Sequence, residues 1–286
     1  MVCRQLTASG HEAFGLDRSL PSGLPAEASW IRMDLADPQA QARLARLPRF
    51  DAVVHCAAAI PDSFTGPAAE QARQANACLD AQIIGFCHGR GLRLVYCSSS
   101  SVYGAIAGEV VDETHRLDAD RSPYAAGKIQ SEERICRDLP SFAVLRICAP
   151  YGPAQKGRTV MRIFIENAMA GAPLAYHGSG LREQDFTHVK DVASAIVQAV
   201  RHVSVNGIFN IAGGAPISMK DLAHRIARVV GKPGATVCAS GCPDHQEEYR
   251  ARFSIRRAGE SLGWKPAIPL EQGIREWAAQ LADSER

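Results

Sequence analysis

Along most of this chain, short apolar runs alternate with longer amphipathic segments, and that rhythm leaves few folds open. A short apolar run between polar turns is buried as a strand. A longer segment with helical periodicity after each run supplies the crossover that parallel strands require. The expected architecture is therefore α/β, a doubly wound, mostly parallel sheet covered by helices on both faces. Strands are predicted at Ala13–Leu16, Trp30–Met33, Ala52–His55, Arg93–Cys97, Ala143–Arg146 and Gly207–Ile211. Helices are predicted from the N-terminus to Ser9, then at Pro38–Leu47, Ala68–Gly89, Pro123–Asp138, Val160–Ala170, Lys190–His202, Met219–Val230, Arg256–Leu262 and Leu270–Leu281. Turn signals at Tyr151-Gly152-Pro153, His177-Gly178-Ser179-Gly180 and Gly231-Lys232-Pro233-Gly234 set off a second, less regular half, where substrate binding is expected.

Composition narrows the class of partner. The 286 residues are 46% hydrophobic, enough for a large core. The 32 basic and 30 acidic residues are interspersed, giving a net charge of +2 with no basic stripe for nucleic acid, so a small molecule is the expected partner. The nine cysteines form no CxxC pair; Cys238 and Cys242 come nearest, without a second pair or a histidine cluster, so no metal is expected. Their odd number and their place in apolar runs, such as Val53 to Ala59, suggest reduced, buried thiols in a cytoplasmic protein. No apolar run reaches the roughly 18 residues of a membrane span, and the first residues lack the pattern of a signal peptide.

The strongest chemical signal is Tyr124-Ala125-Ala126-Gly127-Lys128, which follows Ser122-Pro123, a natural helix start. Tyr124 and Lys128 then lie one turn apart on one face. A free tyrosine has a pKa of about 10, but a nearby ammonium and an oxidised nicotinamide both favour the phenolate, so the pair suits proton transfer at a carbon that loses hydride. Such a pair alone arises by chance in roughly one chain in eight of this make-up. Upstream, Tyr96-Cys97-Ser98-Ser99-Ser100-Ser101-Val102-Tyr103-Gly104 ends an apolar strand in hydroxyls, where the carboxyl edge of a parallel sheet opens into its ligand crevice.

Six segments in order resemble the signatures of the NAD-dependent epimerase/dehydratase family of extended short-chain dehydrogenases. They are Asp51 to Ala58, the serine run to Gly104, Tyr124 to Lys128, Leu145-Arg146 leading to Tyr151-Gly152-Pro153, Asp185 to Ala193, and Leu262-Gly263-Trp264-Lys265-Pro266. The resemblance implies a Rossmann-like doubly wound parallel sheet with a smaller C-terminal substrate-binding lobe. The NAD-binding part would take residues 1–148 and 184–213, and the substrate lobe residues 149–183 and 214–286. It implies hydride transfer between NAD and a secondary alcohol of a nucleotide-sugar or related substrate. Ser99 is then the catalytic hydroxyl, with Ser100 as the alternative, Tyr124 the acid/base, and Lys128 the residue that holds the nicotinamide ribose. Asp17, after the second strand of such a fold, would accept the adenosine ribose hydroxyls and favour NAD; the adjacent Arg18 leaves NADP open. Asp34 and Leu35 resemble the adenine contact, Ala57 and Ala58 the pyrophosphate-side loop, and Asn76 an asparagine behind the active site. The helices at Ala68–Gly89 and Pro123–Asp138 resemble those that pair two family members, with Ile83, Ile84 and Phe86 as apolar surface, so a homodimer is expected.

The chain also departs from the pattern. A first strand and a GxxGxxG turn, which let the backbone approach a pyrophosphate, have no counterpart; Val2 to Glu12 resembles the rest of the first helix and its exit. The expectation is that Met1 is an internal methionine of a longer chain. Ala149 stands where many nucleotide-sugar enzymes have asparagine, and Gln184 where they have arginine; Arg182, Arg250 and Arg252 remain as cations for a diphosphate. The serine run lacks the acidic arrangement of sugar 4,6-dehydratases, which favours epimerisation, oxidation or ketone reduction. The alternative reading is a catalytically inactive binding or regulatory protein, for which the missing glycine turn speaks. The 286-residue chain is expected to bind NAD weakly or not at all, and calorimetry giving low-micromolar affinity would contradict this.

Overall fold

A computed structural model describes residues 1–20, 26, 28–61, 63–155 and 157–284. Its elements in chain order are α1 (Val2–Ala8), β1 (Phe14–Asp17), β2 (Ser29–Arg32), α2 (Ala40–Ala45), β3 (Ala52–His55), α3 (Pro67–Arg90), β4 (Arg93–Ser99), β5 (Ala107–Val111), α4 (Pro123–Asp138), β6 (Phe142–Ile147), β7 (Pro150–Tyr151), α5 (Val160–Ala170), β8 (Leu174–Tyr176), β9 (Glu183–Gln184), β10 (Thr187–His188), α6 (Val189–Arg201), β11 (Gly207–Ile211), β12 (Ile217–Ser218), α7 (Met219–Val229), β13 (Val237–Ala239), β14 (Arg250–Phe253), α8 (Arg256–Leu262) and α9 (Leu270–Ser284).

The expected parallel sheet is present. Its four strands run in the order β11-β6-β4-β3, all parallel. Alternate side chains divide between two faces, as the pleat requires. Leu94, Tyr96 and Val144 meet Ile83, Ile84, Cys87 and Ile135 of α3 and α4. Val95, Ala143 and Leu145 meet Val192, Ile196 and Ala199 of α6 and Ala258 and Leu262 of α8. Both faces are covered, which is why these strands read as nearly continuous apolar runs. β1 and β2 pair in parallel as a separate sheet whose Leu16 and Ile31 pack against the α3 side of the core. Among the described residues β1 and β3 share no backbone pairing.

Two late segments fasten the C-terminal region to this core. Asp191 accepts the backbone N–H groups of Ala267 (3.0 Å) and Ile268 (3.1 Å), and the Trp264 indole donates to the Asp191 carbonyl (3.1 Å) and the Ser194 hydroxyl (2.9 Å). Gly263 ends α8 at φ 63°, a left-handed cap that glycine takes without strain and that turns Trp264 inward. A further core joins Met161 and Phe164 of α5, Leu222 and Ile226 of α7, and Ile274 and Trp277 of α9.

The six strands and nine helices expected from sequence occur with shifts of at most a few residues at their ends. The short strands β5, β7 to β10 and β12 to β14 were not expected, because two to five residues carry too little periodicity to register. Two expectations are corrected. Ile83, Ile84 and Phe86 are buried in the chain's own core at 6%, 1% and 8% exposure and form no external apolar surface. The thiols are not generally buried: Cys87 and Cys148 are, but Cys56, Cys78, Cys136 and Cys242 are exposed. No helix among the described residues is long and apolar enough to cross a membrane.

Candidate active site

The C-terminal ends of β3 and β4 and the first turns of α4 meet at one edge of the main sheet, the edge where such folds open into a crevice. Ser122 caps α4 by accepting the Ala125 N–H at 3.1 Å, and Pro123 occupies the first turn. This fixes Tyr124 in the first turn and Lys128 in the second. Lys128 is buried; its Nζ donates to the Tyr96 hydroxyl and to the Cys97 carbonyl, each at 3.0 Å, and lies 5.9 Å from the centre of the Tyr124 ring. Phe64 meets the Tyr124 ring edge to face at 5.5 Å.

In the chain alone, burial governs the charge of the pair. Burial pushes Tyr124 up to about 12, with Asp80 and Cys97 adding to the rise, so in the chain alone the phenol stays protonated. Burial also lowers Lys128, against the opposing pull of Asp80, Cys97 and Glu132. The ammonium by itself does not overcome the desolvation of Tyr124.

Sequence reasoning missed what holds Lys128. Asp80, on α3 and 3% exposed, accepts from His55 Nε2 (2.8 Å) at one oxygen, and from the Tyr96 hydroxyl (2.6 Å) and Ser131 (2.6 Å) at the other. Because the Tyr96 proton is committed to Asp80, the Tyr96 oxygen is left as an acceptor for Lys128. Burial raises the Asp80 carboxyl, but the His55 bond, the Lys128 charge and the Ser131 bond outweigh it and hold it below its usual value. The available signal was a carboxylate on the otherwise buried face of α3, one turn after Asn76. A second buried group braces the serine run: Ser98 donates to Glu132 (2.5 Å), Arg146 pairs with Glu132 (2.6 Å), and Arg146 donates to the Tyr103 hydroxyl (2.9 Å), which donates to Asn210 (2.6 Å).

The remaining expected residues fall into three groups. Ser99 ends β4 half-buried, its hydroxyl accepting the Ser101 N–H at 3.2 Å, while Ser100 is buried. Asp17 and Arg18 are exposed at the end of β1, and Asp17 accepts the Ser19 N–H at 3.0 Å. Asp34 accepts the Ala36 N–H (2.9 Å), and Leu35 is a core residue whose carbonyl takes the Gln82 amide. Ala57 is exposed and Ala58 half-buried. Asn76 spends both ends of its amide on Ala59, accepting its N–H (2.6 Å) and donating to its carbonyl (2.9 Å), so it clamps the loop after β3. Two of the arginines expected as substrate-side cations are already engaged. Arg182 is paired with Asp244 at 2.8 Å, and Arg250 donates to the Glu247 (2.7 Å) and Tyr249 (3.1 Å) carbonyls. Gln184 is half-buried beside Cys148. Ala149 sits at φ 30°, a conformation that asparagine and glycine tolerate better than alanine.

A doubly wound parallel sheet, with a Tyr-x-x-x-Lys helix and a hydroxyl-rich strand end at its carboxyl edge, defines a protein of the dinucleotide-binding class. The family model for the NAD dependent epimerase/dehydratase family matches residues 1–212, and the chain belongs to that family. It is 30% identical over 288 residues to the UDP-glucose 4-epimerase of Mycolicibacterium smegmatis, covering 94% of this chain and 90% of that protein. A putative UDP-glucose 4-epimerase of Methanocaldococcus jannaschii is 33% identical over 202 residues, covering 68% of this chain and 64% of that protein. Among solved structures, the Thermus thermophilus UDP-glucose 4-epimerase in complex with NAD superposes with a TM-score of 0.80 at 26% identity, covering 98% of this chain and 94% of that one.

Replacing Asp80 by Asn should cost about 3 kcal/mol, since it removes a buried charge at which three donors point. The depressed folded-state pKa makes the ionised carboxylate's stabilisation fully present above the unfolded value of about 4 and lost as pH falls through the lower folded value. Urea denaturation from pH 3 to 7 should show that acid-side loss in the natural chain and lack this component in Asp80→Asn; equal stability at pH 7 would contradict it.

Proposed function

We propose that the chain transfers a hydride between NAD and a secondary alcohol of a nucleotide-linked sugar, as an epimerase or reductase rather than a dehydratase. The observation that carries this is Lys128, buried at the crevice floor one helical turn from Tyr124 and held by two acceptors, with a third ammonium proton unspent. The relatives' names support the substrate class: UDP-glucose 4-epimerase, and the GDP-6-deoxy-D-mannose reductase of Pseudomonas aeruginosa, 27% identical over 280 residues and covering 88% of each chain.

The residues present fit NAD on two sides. The exposed Asp17 carboxylate is open to adenosine ribose hydroxyls, with Asp34 and Leu35 toward the adenine, and the free Lys128 proton suits the nicotinamide ribose. Ala57 and Ala58 border the pyrophosphate side, held by the Asn76 clamp on Ala59. When bound, NAD supplies a hydride acceptor and, oxidised, a positive charge. Tyr124 carries the proton that a reduced ketone requires and receives the proton of an oxidised alcohol once added positive charge brings its pKa down. Ser99 orients the reacting oxygen. Residues 1–148 and 184–213 form the cofactor part in this reading, and residues 149–183 and 214–286 the substrate lobe.

In a chain extended by a glycine-rich turn, Tyr124→Phe should keep NAD affinity within a few-fold while turnover falls roughly 100- to 10,000-fold. Lys128→Ala should lower both and move the pH optimum upward, and Ser99→Ala should slow turnover without moving it. Near-natural turnover in Tyr124→Phe would refute the assignment.

We also propose a homodimer paired through α3 and α4, on the likeness of these helices to the family's pairing helices. With Ile83, Ile84 and Phe86 turned inward, the exposed residues there include Gln71, Gln74, Ala75 and Cys78. Light scattering of the extended chain at micromolar concentration should give twice the chain mass; monomer alone removes the idea.

A further inference from the structure

Among the described residues one pair of cysteine sulfurs is in contact: Cys56 Sγ and Cys97 Sγ lie 3.5 Å apart. The fold places them together. His55 of β3 is the register partner of Tyr96 of β4, so the next residue on each chain, Cys56 and Cys97, falls side by side on the same face where both strands enter the crevice. Neighbouring strands run about 4.8 Å apart, inside the roughly 4.4–6.8 Å between Cα atoms that a disulfide spans. Cys56 is exposed and Cys97 half-buried, so an oxidant reaches the first and the second waits behind it.

We propose that Cys56 and Cys97 form a peroxide-responsive dithiol site that closes to a reversible disulfide at the carboxyl edge of the main sheet, beside Lys128. Cys56, the exposed sulfur of the two, is the attacking one, and the Cys97 hydrogen bond and the Lys128 charge lower its thiol. The Cys56 bond and burial push the Cys97 thiol up. The Cys56 thiolate attacks one oxygen of hydrogen peroxide; the O–O bond breaks, and the departing hydroxide takes a proton to leave as water. The resulting sulfenic acid is attacked by Cys97, which forms the S–S bond and releases a second water. Two electrons pass from the two thiols to one peroxide, and a dithiol reductant returns them. The oxidation requires neither NAD nor a sugar, so its test is independent of the proposed reaction even though Cys97 adjoins Lys128.

Trypsin isolates each thiol: residues 50–73 contain Cys56 alone, residues 94–116 contain Cys97 alone, and residues 1–4 contain Cys3. After one equivalent of hydrogen peroxide on the folded chain, mass spectrometry should find fragment 50–73 linked to 94–116. The link should vanish with dithiothreitol and be absent from Cys56→Ser and Cys97→Ser. Since a bridge that fits the native strands restricts only the unfolded chain, the oxidised protein should melt several degrees above the reduced one. Linkage of 50–73 to 1–4, sulfinic Cys56 with 94–116 unlinked, or a linked protein that melts lower than the reduced one would each overturn the proposal.

Discussion

The geometry beneath the Tyr124 and Lys128 pair depends on one buried carboxylate. Asp80 takes the Tyr96 proton, which turns the Tyr96 oxygen toward Lys128; without that commitment the hydroxyl could face the ammonium as a competing donor. The same carboxylate binds His55 from β3 and Ser131 from α4, so a single side chain of α3 joins two strands and a second helix behind the crevice. Taking a carboxylate out of water is costly, and the structure offsets this with three donors and a nearby ammonium. Asp80 is therefore at once a packing residue and the origin of much of the site's electrostatics. It supports the charge on Lys128 and opposes the charge on Tyr124.

Much of this fold was legible because its strands are buried on both faces. β3 and β11 match their expected ranges to the residue, as do α4, α5 and α8, since each combines a clear apolar run or stripe with a marked end, such as Ser122-Pro123 for α4. The short strands beyond β6 were hidden because their partners are far away in sequence: β14 pairs with β5, and β12 with β9. Pairing of that kind is a tertiary fact that no local window contains.

The candidate site divides in the same way. That Tyr124 and Lys128 lie one helical turn apart and that Ser99 ends a strand was readable from spacing and order. Asp80, the pairing of Arg182 with Asp244, and the Asn76 clamp on Ala59 were not, since each depends on which partner the fold delivers. Arg182 shows the limit best. Its charge was visible, but a cation already committed to a carboxylate at 2.8 Å differs from one free to meet a phosphate, and sequence does not separate the two.

The pair at the centre is also biased in a direction that composition alone would not suggest. Partial burial shifts Tyr124 and Lys128 both toward their neutral forms, Tyr124 to about 12 and Lys128 downward. An added cation beside Tyr124 acts oppositely on the two, favouring phenolate while further disfavouring the ammonium. The carboxylates Asp80 and Glu132 oppose the second effect. An oxidised cofactor is such a cation and its reduced form is not. Under the proposed function, the proton affinity of Tyr124 would follow the redox state of the bound cofactor, low when an alcohol is to be deprotonated and high when a ketone is to be protonated. That reciprocity is what a reversible hydride transfer at one carbon would demand of Tyr124 as its acid/base residue.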